Sequence, residues 1–312
     1  MTTVSVPGKI HLMGEHAVVY GTPALLAAIH LRMRVSVEIA KKTDVISTES
    51  PDYVLHAIEK VKEHFHGATL PTMKITIQSD IPAGFHLGSS AATAVGTVAA
   101  VTYFAKKIWN PNLFNQIAYE VEKKQHGNPS GGDNTIVTMG GILWFRKELE
   151  FLKSMWQLEV KIPDSLNHFF LMNTGRPIET TGEMVTLVRQ KYEKNKTAMR
   201  TLFYKNEEQV KQIAIALKTA SEQQLIDAIN YGEITLEKMG VVGKKVIPCI
   251  QDVVRHGGAA KILGGGGKKQ GVGFLLCYHR DADVIKKIGT KFGYATQPIV
   301  LGGDGIILEK KI

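Results

Sequence analysis

Cysteine is nearly missing from this chain. Only Cys249 and Cys277 occur among its 312 residues, both in apolar surroundings. Two isolated thiols make neither a disulfide framework nor a metal motif. Buried reduced thiols in a cytosolic protein are the default reading. No apolar stretch approaches the length of a membrane span. The segment from Met1 to Leu12 turns polar within a few residues and carries Lys9, so it lacks the apolar core of a signal peptide. Internal repeats and low-complexity tracts are also missing. The formal net charge is +9, yet the short runs Lys244-Lys245, Lys268-Lys269 and Lys310-Lys311 are scattered. Nucleic-acid binding would need such residues gathered on one face. The excess charge reads as a solvated basic surface or as a field that gathers an anionic ligand. The expectation is a soluble, cytoplasmic protein that works away from membrane and nucleic acid.

What is present is core. Hydrophobic residues make up 44% of the chain and charged residues 21%. That is ordinary for a soluble globular protein, and the length suits two lobes or one large domain. Thr3–Val6 and Leu31–Ile39 alternate as strands do, with a glycine-rich turn region, Gly14–Gly21, between them. Pro51–His66 predicts a helix with Leu55, Ile58, Val61 and Phe65 at helical spacing, and Met73–Gln78 alternates again. Asn112–Lys124 predicts a helix and Gly141–Phe145 a strand. A second group opens with a strand at Phe169–Met172. Helices follow over Gly182–Asn195, Glu207–Thr219, Ser221–Lys238 and Lys244–His256. Strands over Ala260–Leu263 and Gly271–Tyr278, a helix over Asp281–Phe292 and a strand over Gly305–Leu308 complete it. Strands and helices interleave without a regular βαβ rhythm, so the fold class is α+β, with a boundary near residues 160–175.

Three loops suggest phosphate chemistry. The first, Pro82-Ala83-Gly84-Phe85-His86-Leu87-Gly88-Ser89-Ser90, runs into a small, apolar, helix-compatible stretch that starts at Ala91. Glycines let backbone N–H groups approach a ligand, and a helix N-terminus presents unpaired donors and a positive dipole end. Together they suit a phosphate chain. Ser89 and Ser90 can cap the helix or give a hydroxyl to phosphate or Mg2+. No Gly-Lys-Ser/Thr follows the glycines, which excludes a Walker A loop. The second loop, His126–Asn134, ends in Asp133, and Glu122 lies on the preceding helix. Phosphoryl transfer needs an acceptor for the substrate's hydroxyl proton and an acid to hold Mg2+, roles these two carboxylates could divide. The plain alternative is a surface turn in which Asp133 caps the next element. The third is Gly264-Gly265-Gly266-Gly267, squeezed between two strand-like runs. It reads as close backbone approach to something, or as a flexible linker.

In this order and spacing the motifs resemble the GHMP kinase superfamily, most closely its mevalonate kinase branch. The run Gly14-Glu15-His16-Ala17-Val18-Val19-Tyr20-Gly21 is the most specific segment. Leu87-Gly88-Ser89-Ser90-Ala91-Ala92, His126–Asn134, Asn173-Thr174 through Thr180, and the glycine tract carry the rest. The resemblance implies a two-lobed fold. A ribosomal protein S5 domain 2-like lobe with a left-handed βαβ crossover would occupy residues 1–165, and a ferredoxin-like lobe residues 166–312, with the active site in the cleft between them. It implies ATP and Mg2+, mevalonate as the small-molecule partner, and allows a homodimer. Position by position, Lys9 would assist ionisation of the substrate hydroxyl and Asp133 would accept its proton. An ion pair between the two would hold Asp133 unprotonated. Glu122 would bind Mg2+, completed by Ser90 rather than Ser89. Pro82, Gly84, His86, Leu87, Gly88, Ser89, Ser90 and Ala91 would line the ATP phosphates. Glu15, His16 and Thr180 would face mevalonate, although His16 also reads as a structural hydrogen-bonding residue.

Two departures from the family pattern bear on ATP. His86 stands where the phosphate loop has glycine, and Lys268-Lys269-Gln270 follow the glycine tract directly. A side chain at His86 restricts φ there. His86 and the two lysines read either as phosphate contacts or as structural and exposed residues. Other members of the superfamily stand as alternatives: phosphomevalonate, homoserine and sugar kinases, or diphosphomevalonate decarboxylase. The retained Lys9 and Glu122 argue against the decarboxylase. A non-catalytic ligand sensor on this fold would have lost Lys9, Glu122, Asp133 or the serines, and all are present.

Overall fold

The computed structural model describes residues 1–47, 49–67, 69–126, 130–149 and 152–309, without the side chains of residues 125 and 126. Part of the His126–Asn134 loop and the Lys310-Lys311 run lie outside the described residues. Two long strands, Thr2–Met13 (β1) and Pro23–Ile39 (β2), pair antiparallel at the start of the chain. Asp44–Ile46 (β3), helix Pro51–His64 (α1) and Met73–Ser79 (β4) follow, with β3 parallel to β4. Next come helices Ser89–Lys106 (α2), Pro111–His126 (α3) and Gly132–Met139 (α4), then the hairpin Ile142–Lys147 (β5) and Lys153–Leu158 (β6). Beyond strand Phe169–Asn173 (β7) run helices Thr181–Lys194 (α5), Lys196–Thr219 (α6), Glu222–Met239 (α7) and Ile247–Arg255 (α8). Ala259–Ile262 (β8), Phe274–Tyr278 (β9), helix Ala282–Phe292 (α9), Ala295–Ile299 (β10) and Ile307–Leu308 (β11) close the chain.

The strands form two sheets. The first has the order β11-β1-β2-β4-β3, with β5 on the first half of β2 and β6 on β5. The second is antiparallel with the order β10-β7-β9-β8, which in chain order is fourth-first-third-second, the ferredoxin-like arrangement. The mixed α+β class read from the sequence is what the chain forms. Strand β11 returns to pair with β1, so the chain's last strand rests on the first sheet.

Helix α2 sits at the centre of the larger core. From Ser89 to Thr102 its side chains are buried all round apart from Ser90. Alanine, glycine, threonine and valine allow this, because a helix with small residues on every face packs against α1, α3, β1 and β2 at once. Both cysteines are buried and free, with Cys249 Sγ 3.3 Å from Met172 Sδ. Among the described residues no helix is long and apolar enough to cross a membrane.

The structure departs from the sequence reading in several elements. Helix α1 buries Val54, Ala57, Ile58 and Val61, while Leu55 is 45% exposed; the apolar face is set one position earlier. Strand β1 continues through Lys9 to Met13, so Lys9 stands on a strand. Helix α6 starts at Lys196, well ahead of Glu207, because Met199 and Phe203 supply a buried face among polar neighbours. Asp133 lies in the first turn of a helix, α4, too short to show periodicity. Strand β10 carries Pro298, which hides the pattern and is tolerated because β10 is at a sheet edge.

Phe114 on α3 is fully buried and meets Trp109 edge-on at 5.3 Å between ring centres. Replacing it with alanine removes the anchor of the helix that carries Glu122. Phe114→Ala is expected to destabilise the fold by about 3–5 kcal/mol, read from the urea unfolding midpoint.

Candidate active site

The phosphate loop is fixed to β1 by its own backbone. Lys9 N donates to Leu87 O at 2.9 Å. Gly88 follows at φ 83°, and a Cβ there would stand 2.7 Å from Lys9 Cγ. Only glycine lets the loop lie directly on the Lys9 side chain. The N-cap of α2 is Gly88, which has no side chain with which to cap the helix that begins at Ser89. The helix N-terminus and its positive dipole end therefore stand beside Lys9, an arrangement suited to an anion.

Lys9 itself is buried, and its Nζ lies 2.9 Å from Asp133 Oδ2. Asp133 sits in the first turn of α4, where the helix dipole favours a carboxylate. The two residues expected to act on one hydroxyl, far apart in sequence, form an ion pair. Lys9 Nζ also reaches His11 Nδ1 at 3.3 Å.

A second cluster lies on the helices behind the loop. Ser90 Oγ and Tyr53 OH both donate to Glu122 Oε1, each at 2.6 Å, and the two hydroxyls are 3.3 Å apart. Burial and the neighbouring Glu122 carboxylate push ionisation of the Tyr53 phenol far up. Ser89 Oγ donates instead to Glu49, which separates the two serines: Ser90 stands with Glu122 and Ser89 does not. The Ser90 and Glu122 oxygens are hard donors of the kind Mg2+ takes when substrate phosphates and water supply the remaining ligands.

The second sheet reaches the site through Lys261 and the glycine tract. Lys261 is fully buried in β8. It ion-pairs with Glu15 and donates to His11 O at 3.1 Å and Ile262 O at 2.6 Å. Among the described residues neither Glu15 Oε2 nor Glu233 Oε1 has a hydrogen-bond partner, while Glu233 Oε2 accepts from Ile262 N at 3.0 Å. Burial raises the Glu233 carboxyl well above the usual range. His16, at φ 61°, hydrogen-bonds through Nε2 with Gly265 O at 3.1 Å. Thr180 caps α5: it accepts from Glu183 N, and Glu183 reaches back to Thr180 N. Its hydroxyl is therefore engaged locally, and the neighbouring Thr181 contacts the site, with Oγ1 3.3 Å from His86 Nδ1.

His86 takes a left-handed backbone, at φ 63°, a region that favours glycine. The glycine tract makes room for it. A Cβ on Gly264 would fall 2.3 Å from His86 Cβ. The close approach expected of the tract is thus an approach to His86 on one side and to Val241 O on the other. Lys268 N and Lys269 N donate to the two carboxylate oxygens of Glu179, at 3.3 and 3.2 Å. Pro82 is half-buried, Gly84 lies exposed under the Arg176 guanidinium, and Ala91 is buried in the first turn of α2.

Sequence reasoning passed over Tyr53, Glu49, Lys261 and His11. Two of these carried a signal. A lysine inside the strand-like run Ala260–Leu263 is a charge in a core position, and His11 follows Lys9 at the two-residue spacing that places side chains on one strand face. Tyr53 and Glu49 have no local mark, since only the tertiary fold brings α1 to α2.

Comparisons with known proteins bear on the fold and the family. The GHMP kinases N terminal domain matches residues 52–141. Mevalonate kinase of Archaeoglobus fulgidus is 34% identical over 84% of this chain and 88% of its own length. Among solved structures, Methanococcus jannaschii mevalonate kinase superposes with TM-score 0.79 at 22% identity, covering 96% of this chain and 98% of that one. The L. major mevalonate kinase in complex with R-mevalonate gives 0.76 at 20%, covering 92% and 90%. Fold and site thus define a GHMP kinase. Within that class, the chain belongs to the mevalonate kinase family.

Burial lowers His16 and His86 to about 4, and His11 well below 6.5. Folded, these rings stay neutral where the unfolded chain would already bind protons. Stability is therefore present above pH 6.5 and is lost as pH falls towards about 4. Each ring contributes a slope of up to about 1.4 kcal/mol per pH unit in that window. His16→Gln is expected to reduce the slope of unfolding free energy between pH 6.5 and pH 4.5, measured by urea titration.

Proposed function

We propose that this chain transfers the γ-phosphate of ATP to the 5-hydroxyl of mevalonate, using Mg2+. The observation that carries the reading is the Lys9–Asp133 pair at 2.9 Å, set against Gly88 and the N-terminus of α2. The family membership supports mevalonate as the acceptor. Residues 1–165 would provide the phosphate-binding lobe and residues 166–312 would close the substrate cleft.

In this reading Asp133 takes the hydroxyl proton while Lys9 donates to the hydroxyl oxygen and steadies the negative charge that grows there. The new O–P bond forms as the bond between Pγ and the bridging oxygen of ADP breaks. Backbone donors from Gly88 to Ala91 hold the phosphate oxygens in place. Glu122 and Ser90 would hold Mg2+, which would supply charge neutralisation for the phosphate chain. Tyr53 donates to Glu122 Oε1 and so fixes which way the carboxylate faces. Of the residues assigned to the mevalonate side, Glu15 and His16 are buried and form the floor. Thr180 is exposed at the start of α5, where the helix N-terminus favours the substrate carboxylate.

A coupled ADP-release assay with mevalonate, galactose, homoserine and phosphomevalonate tests the assignment. Turnover is expected with mevalonate well above the others. A preference for phosphomevalonate or a sugar would move the chain to another branch. Asp133→Ala is expected to lower kcat by about a thousandfold; full activity in that variant would remove the assigned base. Glu122→Gln is expected to raise the Mg2+ concentration needed for half-maximal rate, with the fold unchanged by circular dichroism.

A further inference from the structure

We propose that His11 is a positioning residue for Lys9: its Nδ1 is a neutral acceptor that, with Asp133, fixes where the buried ammonium points. This rests on the kinase reading above and deepens it. An ammonium has three N–H donors and no acceptor. Lys9 Nζ meets Asp133 Oδ2 at 2.9 Å and His11 Nδ1 at 3.3 Å. Two donors are thereby assigned, which leaves one for the transferring oxygen.

The contact has a chemical consequence for the ring. Lysine can only donate, so His11 Nδ1 must accept, and its proton must sit on Nε2. His11 is therefore held as the neutral Nε2–H tautomer. The groups facing it are Lys9 and Asp133 at the ring and Lys261 and His16 nearby, so two ammonium groups oppose a positive charge there. A carboxylate at position 11 would compete with Asp133 for Lys9. An apolar residue would leave a buried donor unmet. Neutral imidazole avoids both. The position is itself fixed, because the His11 carbonyl accepts from Lys261 Nζ at 3.1 Å.

The test compares shape with chemistry. His11→Leu removes the acceptor, whereas His11→Asn has nearly the same shape and keeps an acceptor near the Nδ1 place. Loss of a partner for a buried donor corresponds to about tenfold or more in rate. His11→Leu is expected to lower kcat by about that factor with KM for ATP unchanged, and His11→Asn to restore most of it. Equal kcat in the two variants, or a loss expressed only in KM, overturns the proposal. Independently of turnover, long-range 1H–15N spectra of histidine-labelled protein at pH 7 are expected to show His11 as the Nε2–H tautomer. Lys9→Met is expected to abolish that preference. An Nδ1–H tautomer in the wild type, or one unmoved by Lys9→Met, also overturns it. Wild-type protein that releases no ADP with any acceptor sinks the kinase reading, and the spectra separate that failure from failure of the Lys9–His11 contact.

Discussion

Everything in this site follows from taking one ammonium group out of water. Lys9 is only 3% exposed, and a buried cation costs several kcal/mol unless it is paired and hydrogen-bonded. The chain meets that demand from three directions. The first turn of α4 brings Asp133, the next residue on the same strand face brings His11, and the phosphate loop lies along the Lys9 methylenes because Gly88 has no side chain. In the proposed reaction the same burial would give the ammonium its chemical use, because in a water-poor site its charge acts on a neighbouring oxygen with little screening. Asp133 remains 37% exposed, so the pair is open to solvent from its acidic side.

A second buried lysine decides how the two sheets relate. Lys261 comes from β8, yet its partners Glu15 and the His11 carbonyl belong to the first sheet's opening segment. A buried ion pair is weak as a source of net stability, but removing one partner leaves an uncompensated charge. The pair therefore acts as a register pin. It holds the glycine tract against His16 and His86, and so holds the second sheet against the phosphate loop. Glu233, hydrogen-bonded to Ile262 N, is pushed by burial towards its neutral form.

Much of this was legible in the sequence, and the limits have physical causes. Lys9, Asp133, Glu122 and Ser90 could be named because their motifs constrain backbone and side chain together. The ferredoxin-like sheet could be expected only through the family resemblance, since the β10 pattern is broken by Pro298 and periodicity alone gives no strand order. The α1 face was misplaced because Leu55 is apolar but points away from α2, and a single exposed leucine is no violation of burial rules. Glu49 and Tyr53 were invisible because their partners, Ser89, Ser90 and Glu122, are reached only by packing α1 against α2.

The departure at His86 shows how the fold absorbs a local conflict. A left-handed backbone at a non-glycine residue costs about 1–2 kcal/mol. The chain adopts that conformation at His86, φ 63°. The added imidazole needs space, and the space lies over Gly264, where any Cβ would collide with His86. Loop and tract are therefore matched: the glycines do not approach the phosphate loop to leave a gap but to receive a ring. Thr181 meets that ring from α5, so a single histidine joins the phosphate loop, the glycine tract and the helix that begins at Thr180. Loop shape is set there by packing of a side chain, where an all-glycine loop would leave it to backbone freedom.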